Sequence, residues 1–596
     1  MFPHIGLINP RSLALLGIAV GVLWTPVPTH AQTESVDPDE IMKEMRELQE
    51  EFERFRESRT PVEAQQYTGV CDERIGRICI WFGGEENETF PSEFREVGQA
   101  RIDLIRALDD AMEQAPNEWL LGQQVHYLVE NRNLDEAERV SVECGITETW
   151  WCSALHGYVL HVRTEYVESE TAFREAVTAI PDDVYDRWTT PRYIFTSDGE
   201  DSFSALPPAE RDATWEMFWK LSDPLFLFTG NDRLTDHFAR LVVAHNREDA
   251  SAPQGLEWDD DVAETLIRYG RNTGYSRSHD PGRTMSAFGG LNDTRRMIGH
   301  HHPKSRGYLF PEAFLESPSD IPPESWITAP REARTWYAPP YAPEIRGLET
   351  QVGRFRVEDE MLVIGAYRPT VTPLGSDEIV SAWRENGGIE GDPHAALFLV
   401  PVDGGRNVVV QGSEPEGVLT VQTQPDRYVS SIEVVDLEGR QAWRARQGVV
   451  QTPLPPGLPG VSDLMIMKPD APEPQSLEEA IPWVRPGVRL APGERFSVFW
   501  EVYGLRIREP IRITIGFSEG RPGFLSRIGE FLGIMEPDSP VDVTFEETGP
   551  DQVQALFRSV SLQLPDLEPG EYTLHLRLEL AGRNPVITSR PIVVGG

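Results

Sequence analysis

The residues best suited to chemistry stand together in Gly299-His300-His301-His302-Pro303. Imidazole nitrogens ligate zinc and copper. Neighbouring side chains diverge along an extended chain, so one or two of His300, His301 and His302 can join His279, Asp280 or His237 around an ion, but not all three. The plainer reading is an irregular loop of solvated or hydrogen-bonded imidazoles. A second polar set is His237, Asp261 and Arg268. Gathered at the end of one element, these side chains can bind an anionic group or tie a helix to a strand, and tying is the commoner use of buried polar groups. Trp150 and Trp151 can stack on a sugar or peptide, or pack beside a disulfide in a core.

Other chemistries lack their sequence signatures. There is no phosphate-cradling Gly-x-x-x-x-Gly-Lys-Ser/Thr loop, no His-Glu-x-x-His, no Gly-x-Gly-x-x-Gly after a strand and no Gly-x-Ser-x-Gly elbow. Carboxylates are so abundant that carboxylate pairs arise by chance and do not argue for a glycosidase. Asp and Glu number 96 against 55 Lys and Arg over 596 residues, a net charge of -41. An anionic membrane or nucleic acid repels such a chain, so neither is expected as a partner. Only Lys43, Lys220, Lys304 and Lys468 carry amines, and the remaining basic residues are arginines that stay charged.

An export signal is read at the start. Leu13 to Trp24 form an apolar stretch behind Arg11, too short to span a bilayer comfortably. Thr25-Pro-Val-Pro28 and Thr29-His-Ala31 follow, suiting cleavage after Ala31. No later segment reaches membrane-span length, so no integral membrane segment is expected after cleavage. Cysteine usage agrees with export. Cys71 with Cys79 and Cys144 with Cys152 are two local pairs. Four cysteines permit three pairings; two short-loop bridges are favoured, and the eight-residue separations do not match zinc knuckles.

The elements that position these residues form a helical half followed by a strand half. Ile41, Met45, Leu48, Phe52 and Phe55 make one apolar stripe on a helix over 39–58. It can dock on its own domain or serve as a seam for self-association. Residues 95–182 carry an internal repeat. Leu108, Ala111 and Pro116 recur as Phe173, Ala176 and Pro181, 65 residues later, close to two periods of roughly 34 residues. Gly157 and Tyr166 stand upstream of the later copy, and Tyr127, Leu134 and Ala137 lie loosely between. Trp215, Phe218 and Trp219 share a side of a helix over 211–221, and Asn231 or Asp232 caps the next helix, which runs to about Arg247. Leu266-Ile267 is expected to begin a buried strand that Tyr269-Gly270 ends. A proline-rich strap over 311–345 should pack its aromatics on its neighbours. Beyond it, strands are expected at 354–366, 396–402, 407–410, 418–423, 428–436, 496–503, 511–517, 541–545, 560–564 and 572–580. Tyr572, Leu574, Leu576, Leu578 and Leu580 alternate with polar residues, the mark of a half-buried antiparallel strand.

Two resemblances follow from these residues. The repeat resembles tetratricopeptide repeats, with one good unit and about two weaker ones. That resemblance implies a concave protein-binding groove; the alternative is a spacer. Residues 205–345 resemble the bacterial G-W-x-T-D domain family. Asn231 to His237, Trp258 to Asp261 and Arg268-Tyr269-Gly270 fall in that family's register. Glu257 stands where the family has Gly, and Asp260 where it has Thr. The family implies an exported protein and supplies no established catalytic residue.

The expected fold is multidomain α+β. It comprises a signal peptide (1–31), an amphipathic helix (32–62), TPR-like helical repeats (63–190), a central α/β GWxTD-like domain (205–345), a β-rich domain (350–470) and an immunoglobulin-like β-sandwich (483–596). The expected function is that of a non-catalytic periplasmic or secreted protein that holds a protein partner or assembles a complex, with no cofactor. The alternative is a metal-dependent hydrolase centred on 205–345.

Overall fold

The computed structural model describes residues 37–63, 73–80, 92–252, 258–272, 274–278, 297–300, 314–315, 317–326, 333–342, 344–370, 394–436, 440–455, 457–520 and 541–595. The segment read as an export signal, together with Cys71, His279, Asp280, His301 and His302, lies outside them. The described chain is a helical region followed by strand-rich domains. Among the described residues, no helix is long and apolar enough to cross a membrane.

Helix α1 (Pro38–Ser58) starts where Asp37 accepts the Asp39 amide and Pro38 presets the first turn. Its stripe is turned inward: Ile41, Met45 and Phe52 are buried with Val97, Leu104 and Leu108 of α2 (Arg95–Gln114), and Leu48 and Phe55 are partly covered. The stripe is therefore committed to its own chain. Short connections then fold α3 (Glu118–Glu130), α4 (Leu134–Glu143), α5 (Thr149–Val162), α6 (Tyr166–Ala179) and α7 (Asp182–Trp188) against one another. A Cβ at Gly157 would meet the Phe173 ring at 3.0 Å, so the missing side chain is what lets α5 and α6 close on that ring. Cys144 and Cys152 are joined across the α4–α5 turn, with Cα atoms 5.8 Å apart.

After α8 (Ser197–Ser204) and α9 (Pro208–Ser222), α10 (Asp232–Arg247) crosses α3, α5 and α6. Asn231 caps it by accepting the Leu234 amide. Gly122 admits this crossing, because a Cβ there would overlap the Asn246 carboxamide.

The expected strand at 266–270 is instead helix α11 (Asp260–Tyr269). Asp259 accepts the Asp260 amide at its start, and Gly270 leaves it at φ +89°. Val262 and Ile267 lie on its buried side; a short apolar run fits a helix as well as a strand. Beside α11 stands a hairpin of β2 (Glu73–Ile75) and β3 (Ile78–Ile80), and β1 (Val62–Glu63) pairs with β4 (Gly274–Ser278), which pairs with β5 (Met297–His300). In the strap, Trp326, Trp336, Tyr337 and Ala342 are buried.

The first β unit is a seven-stranded sheet in the order β10-β7-β6-β12-β11-β8-β9. Its strands are β6 (Ile345–Val357), β7 (Glu360–Pro369), β8 (His394–Pro401), β9 (Val408–Gly412), β10 (Gly417–Thr423), β11 (Arg427–Asp436) and β12 (Gln441–Val450). Neighbours are antiparallel except β6 and β12. The span 354–366, expected as one strand, is split by a hairpin at Glu358, where φ is +56°. Leu348, Val363, Leu397, Ile432 and Trp443 from both halves of the sheet meet in one core.

The last unit has two sheets. One joins β13 (Gly460–Val461), β14 (Met465–Ile466) and β19 (Leu556–Gln563) to β16 (Arg495–Tyr503). The other runs β15 (Arg489–Leu490), β21 (Val586–Val594), β20 (Gly570–Leu580), β17 (Pro510–Glu519) and β18 (Val541–Thr548). Phe496, Val498 and Trp500 of the first sheet share a core with Ile513, Leu576 and Leu578 of the second, which makes the unit a sandwich. Strands β1 to β5, β12 to β15 and β21 were absent from the sequence expectation. Between the two β units, Phe355 and Ile364 pack with Met465, Met467 and Phe499.

Candidate functional site

Helix geometry puts Asp261, Glu264 and Arg268 on one face of α11, and that face grips the β2–β3 hairpin. The main-chain N–H and Nε of Arg77 each donate to Asp261 Oδ2 at 2.8 Å, and Nη2 donates to Oδ1 at 2.7 Å. These bonds hold the Asp261 carboxyl down to about 2. Arg268 is nearly fully buried. Its guanidinium donates to Glu73 at 2.6 Å, to Glu264 at 3.1 Å and to the Arg334 carbonyl at 2.9 Å. The Tyr269 hydroxyl donates to Glu73, and its ring meets Trp336 edge-on at 4.7 Å. Beside Gly270 the Arg240 guanidinium donates to the Ile267 carbonyl at 3.0 Å, satisfying a carbonyl that the helix end leaves free. Trp258 is half-buried against the helical core.

His237 belongs to different surroundings. It is buried on α10 with its ring 5.0 Å from Trp219. Burial and the nearby Arg233 and Arg240 charges push it well below the usual imidazole range. Of His237, Asp261 and Arg268, expected to converge at a strand end, Asp261 and Arg268 share the α11 face against the hairpin while His237 lies apart on α10, and the strand is a helix. His300 ends β5. Among the described residues, no group of three His, Cys, Asp or Glu side chains is arranged to hold a metal. Trp150 and Trp151 are buried beside Trp188 and His245, and the Trp151 indole N–H donates to the Glu118 carbonyl at 3.1 Å.

The structure adds two clusters that the sequence reading missed. The first is the inward polar stripe of α10. Asp236 pairs with Arg240 at 2.7 Å and with Arg233 at 3.4 Å. His161 meets Thr235 Oγ1 at 2.9 Å, and burial drives this imidazole down to about 4. Arg233 also donates to Thr335, and the Tyr337 hydroxyl donates to Asp232 at 2.7 Å. The spacing of 232, 233, 236, 237 and 240 was a visible signal, but charges at that spacing ordinarily mark a solvated face.

The second cluster lies where the helical region meets the β11–β12 face. Arg446 donates to the Leu221 carbonyl at 2.7 Å, to the Asp223 carbonyl at 2.8 Å and to Ser431 at 3.0 Å. Its guanidinium lies 3.5 Å from Glu433, both side chains fully buried, and 4.3 Å from the Phe226 ring centre. Arg444 donates to the carbonyls of Pro224 at 2.8 Å and Trp326 at 2.7 Å. Glu433 in turn accepts the Leu227 amide at 3.0 Å. No sequence signal distinguished these residues from other charges on an alternating strand. A groove of about 440 Å³ lies elsewhere, between α1 and residues 249–251, lined by Asp39, Lys43, Arg46, Glu50 and Asp249.

No family model and no curated protein matches the chain. Among solved structures, the Spo0M sporulation control protein of Bacillus subtilis is 12% identical, with a TM-score of 0.16, over 24% of this chain and 50% of that one. The chain thus spans half the length of that neighbour. The FN1–FN3 domains of chicken CNTN1 are 11% identical, with a TM-score of 0.14, over 42% and 69% of the two chains. Red sea bream transglutaminase is 10% identical, with a TM-score of 0.14, over 42% and 32%. These likenesses are too slight to carry any functional argument.

Proposed function

We propose that this protein is an exported, non-catalytic scaffold of the cell envelope or the medium, which displays its modules to a protein partner. The observation that carries the reading is what the chemically capable side chains do. Asp261, Arg268, Arg446 and Glu433 each tie one element to another across long stretches of chain. Export is supported by the apolar stretch behind Arg11 and by the joined Cys144 and Cys152. We read the helix pairs as TPR-like, supported by Phe173 seated at Gly157, the central region as GWxTD-like, and the last sandwich as immunoglobulin-like. In this reading α10 occupies the face of α3 and α5 where a repeat groove would take a peptide, so the partner meets the outer surfaces.

Fractionation of producing cells, with native mass spectrometry of the gently purified protein, tests the proposal. The expected result is the processed chain outside the cytosol with one protein bound in fixed ratio. An unprocessed cytosolic chain, or a monomer that stays solitary under every mild extraction, would overturn it.

A further inference from the structure

Among the described residues, no guanidinium forms a salt bridge with either of two carboxylates at the junction between the helical region and the first β unit. Asp223 closes α9; its carboxylate accepts the Leu225 amide at 3.1 Å. Asp232 opens α10 and accepts the Tyr337 hydroxyl. Both are buried, at 7% and 1% exposure. The neighbouring arginines are occupied elsewhere: Arg444 and Arg446 chiefly by carbonyls, Arg233 by Thr335 and Asp236, and Arg240 by Asp236 and the α11 carbonyls. The charged and titratable groups around the pair are Asp236, Arg233 and Arg240 on α10, with His161 of α5 against Asp236. Tyr166 of α6 and Tyr337 and Tyr341 of the strap face them too, with Glu433, Arg444 and Arg446 on the sheet. The residues between them, 224–231, form a loop that the sheet grips through Glu433 on the Leu227 amide, Arg444 on the Pro224 carbonyl and Arg446 over the Phe226 ring.

We propose that this junction is a proton-controlled clamp: with a proton held on the Asp223–Asp232 pair the loop is gripped by the β11–β12 face, and loss of that proton loosens the grip. Two buried anions flanking one loop, next to a third at Glu433, repel one another, and neutralising one relieves that repulsion. The same burial holds Asp223 well above the usual carboxyl range and pushes Asp232 up to about 7. The sign follows from linkage. Above the ordinary aspartate value of about 4 the closed junction binds more protons than the opened one, so closure weakens as pH rises through about 7, where Asp232 loses its proton, and weakens further as Asp223 follows. The limiting slope is about tenfold per pH unit for each proton.

Hydrogen exchange of the intact protein tests this, with the Leu227 amide as reporter because it is bonded to Glu433. After correction for intrinsic rates, protection at Leu227 should fall at least about tenfold between pH 5 and pH 7. Asp232→Asn keeps an acceptor for Tyr337 and should flatten the fall. Tyr337→Phe removes a hydrogen bond that favours the Asp232 anion, and should move the fall to higher pH. Protection that does not change with pH in the unaltered protein would overturn the proposal whether or not the variants fold. An unchanged slope in a folded Asp232→Asn protein would overturn it too.

Discussion

The helical region and the C-terminal sandwich bury their chains by different means. In the sandwich, alternate residues of β16, β17 and β20 fill a core of Val, Ile, Leu, Phe and Trp, and pairs such as Arg512–Glu546 and Arg508–Asp551 stay at the surface. In the helical region, charge goes inside. Glu53 accepts the Tyr127 hydroxyl at 2.7 Å and faces Arg247 at 3.2 Å, with all three buried. The α10 stripe and the Arg446–Glu433 pair repeat the pattern. Apolar burial is non-directional and tolerates sliding, whereas a buried charge must find its partner in one geometry. The contrast is one of degree: the sandwich also buries Arg583 against Glu509 at 2.9 Å, whereas the helical region adds several inward charge ties to an extensive apolar core of its own, so position there supplements apolar burial. A protein whose use is to present surfaces at fixed separations gains from the second kind of bond at its junctions.

Breaking the comparison at its strongest point should give the largest effect. Arg446→Ala leaves Glu433 buried without its cation and frees the carbonyls of Leu221 and Asp223. The expected loss is about 3–5 kcal/mol in urea denaturation, and Arg446→Met with Glu433→Gln should recover much of it. If the single variant is as stable as the parent, the positional account of this junction is wrong. Next comes Leu576→Ala in the sandwich, where the side chain is fully buried. It should cost about 2–5 kcal/mol by cavity formation. Faster exchange should be confined to β16, β17 and β20, with α2 to α6 unchanged. Spread into the helices would show that the two regions do not differ as argued. Third is Gly122→Ala, which drives a methyl group into Asn246 where α10 crosses α3. A loss of about 1–3 kcal/mol is expected, and added Asn246→Ala should relieve part of it.

The same difference decides what was legible in the sequence. Strand β20 could be read because Tyr572 to Leu580 alternate with the period of a sheet, and α1 because its stripe has the period of a helix. Helix α10 could be bounded from its Asn231 cap, but its inward charges look the same as solvated ones. Leu266-Ile267 misled because a two-residue apolar run has no period. The Asp259 cap and the Gly270 exit were the better signals, and they mark a helix. The hairpin at Glu358-Asp359 hid between strands because neither Gly nor Pro marks it. The ties Arg77–Asp261 and Arg446–Glu433 join residues far apart or on adjacent strands. Which charge meets which depends on the tertiary fold, and periodicity says nothing of it.

The smallest expected effect sharpens the comparison most, because it separates position from stability. Arg77 is 42% exposed, so its pair with Asp261 is screened by water and should contribute less than about 1 kcal/mol. The folded Asp261 carboxyl is held below its unfolded value of about 4. The contribution is therefore complete above about pH 4 and is lost as pH falls through about 2. Arg77→Ala should return the Asp261 titration, followed by carboxyl carbon NMR, towards the ordinary aspartate value. It should barely move the denaturation midpoint while increasing exchange of the β2–β3 amides. A carboxyl that still titrates near 2 would mean that main-chain N–H groups, that of residue 77 and those of the α11 N-terminus, hold the charge rather than the Arg77 side chain. A large loss of stability would mean that this hairpin is part of the core and not a positional tie.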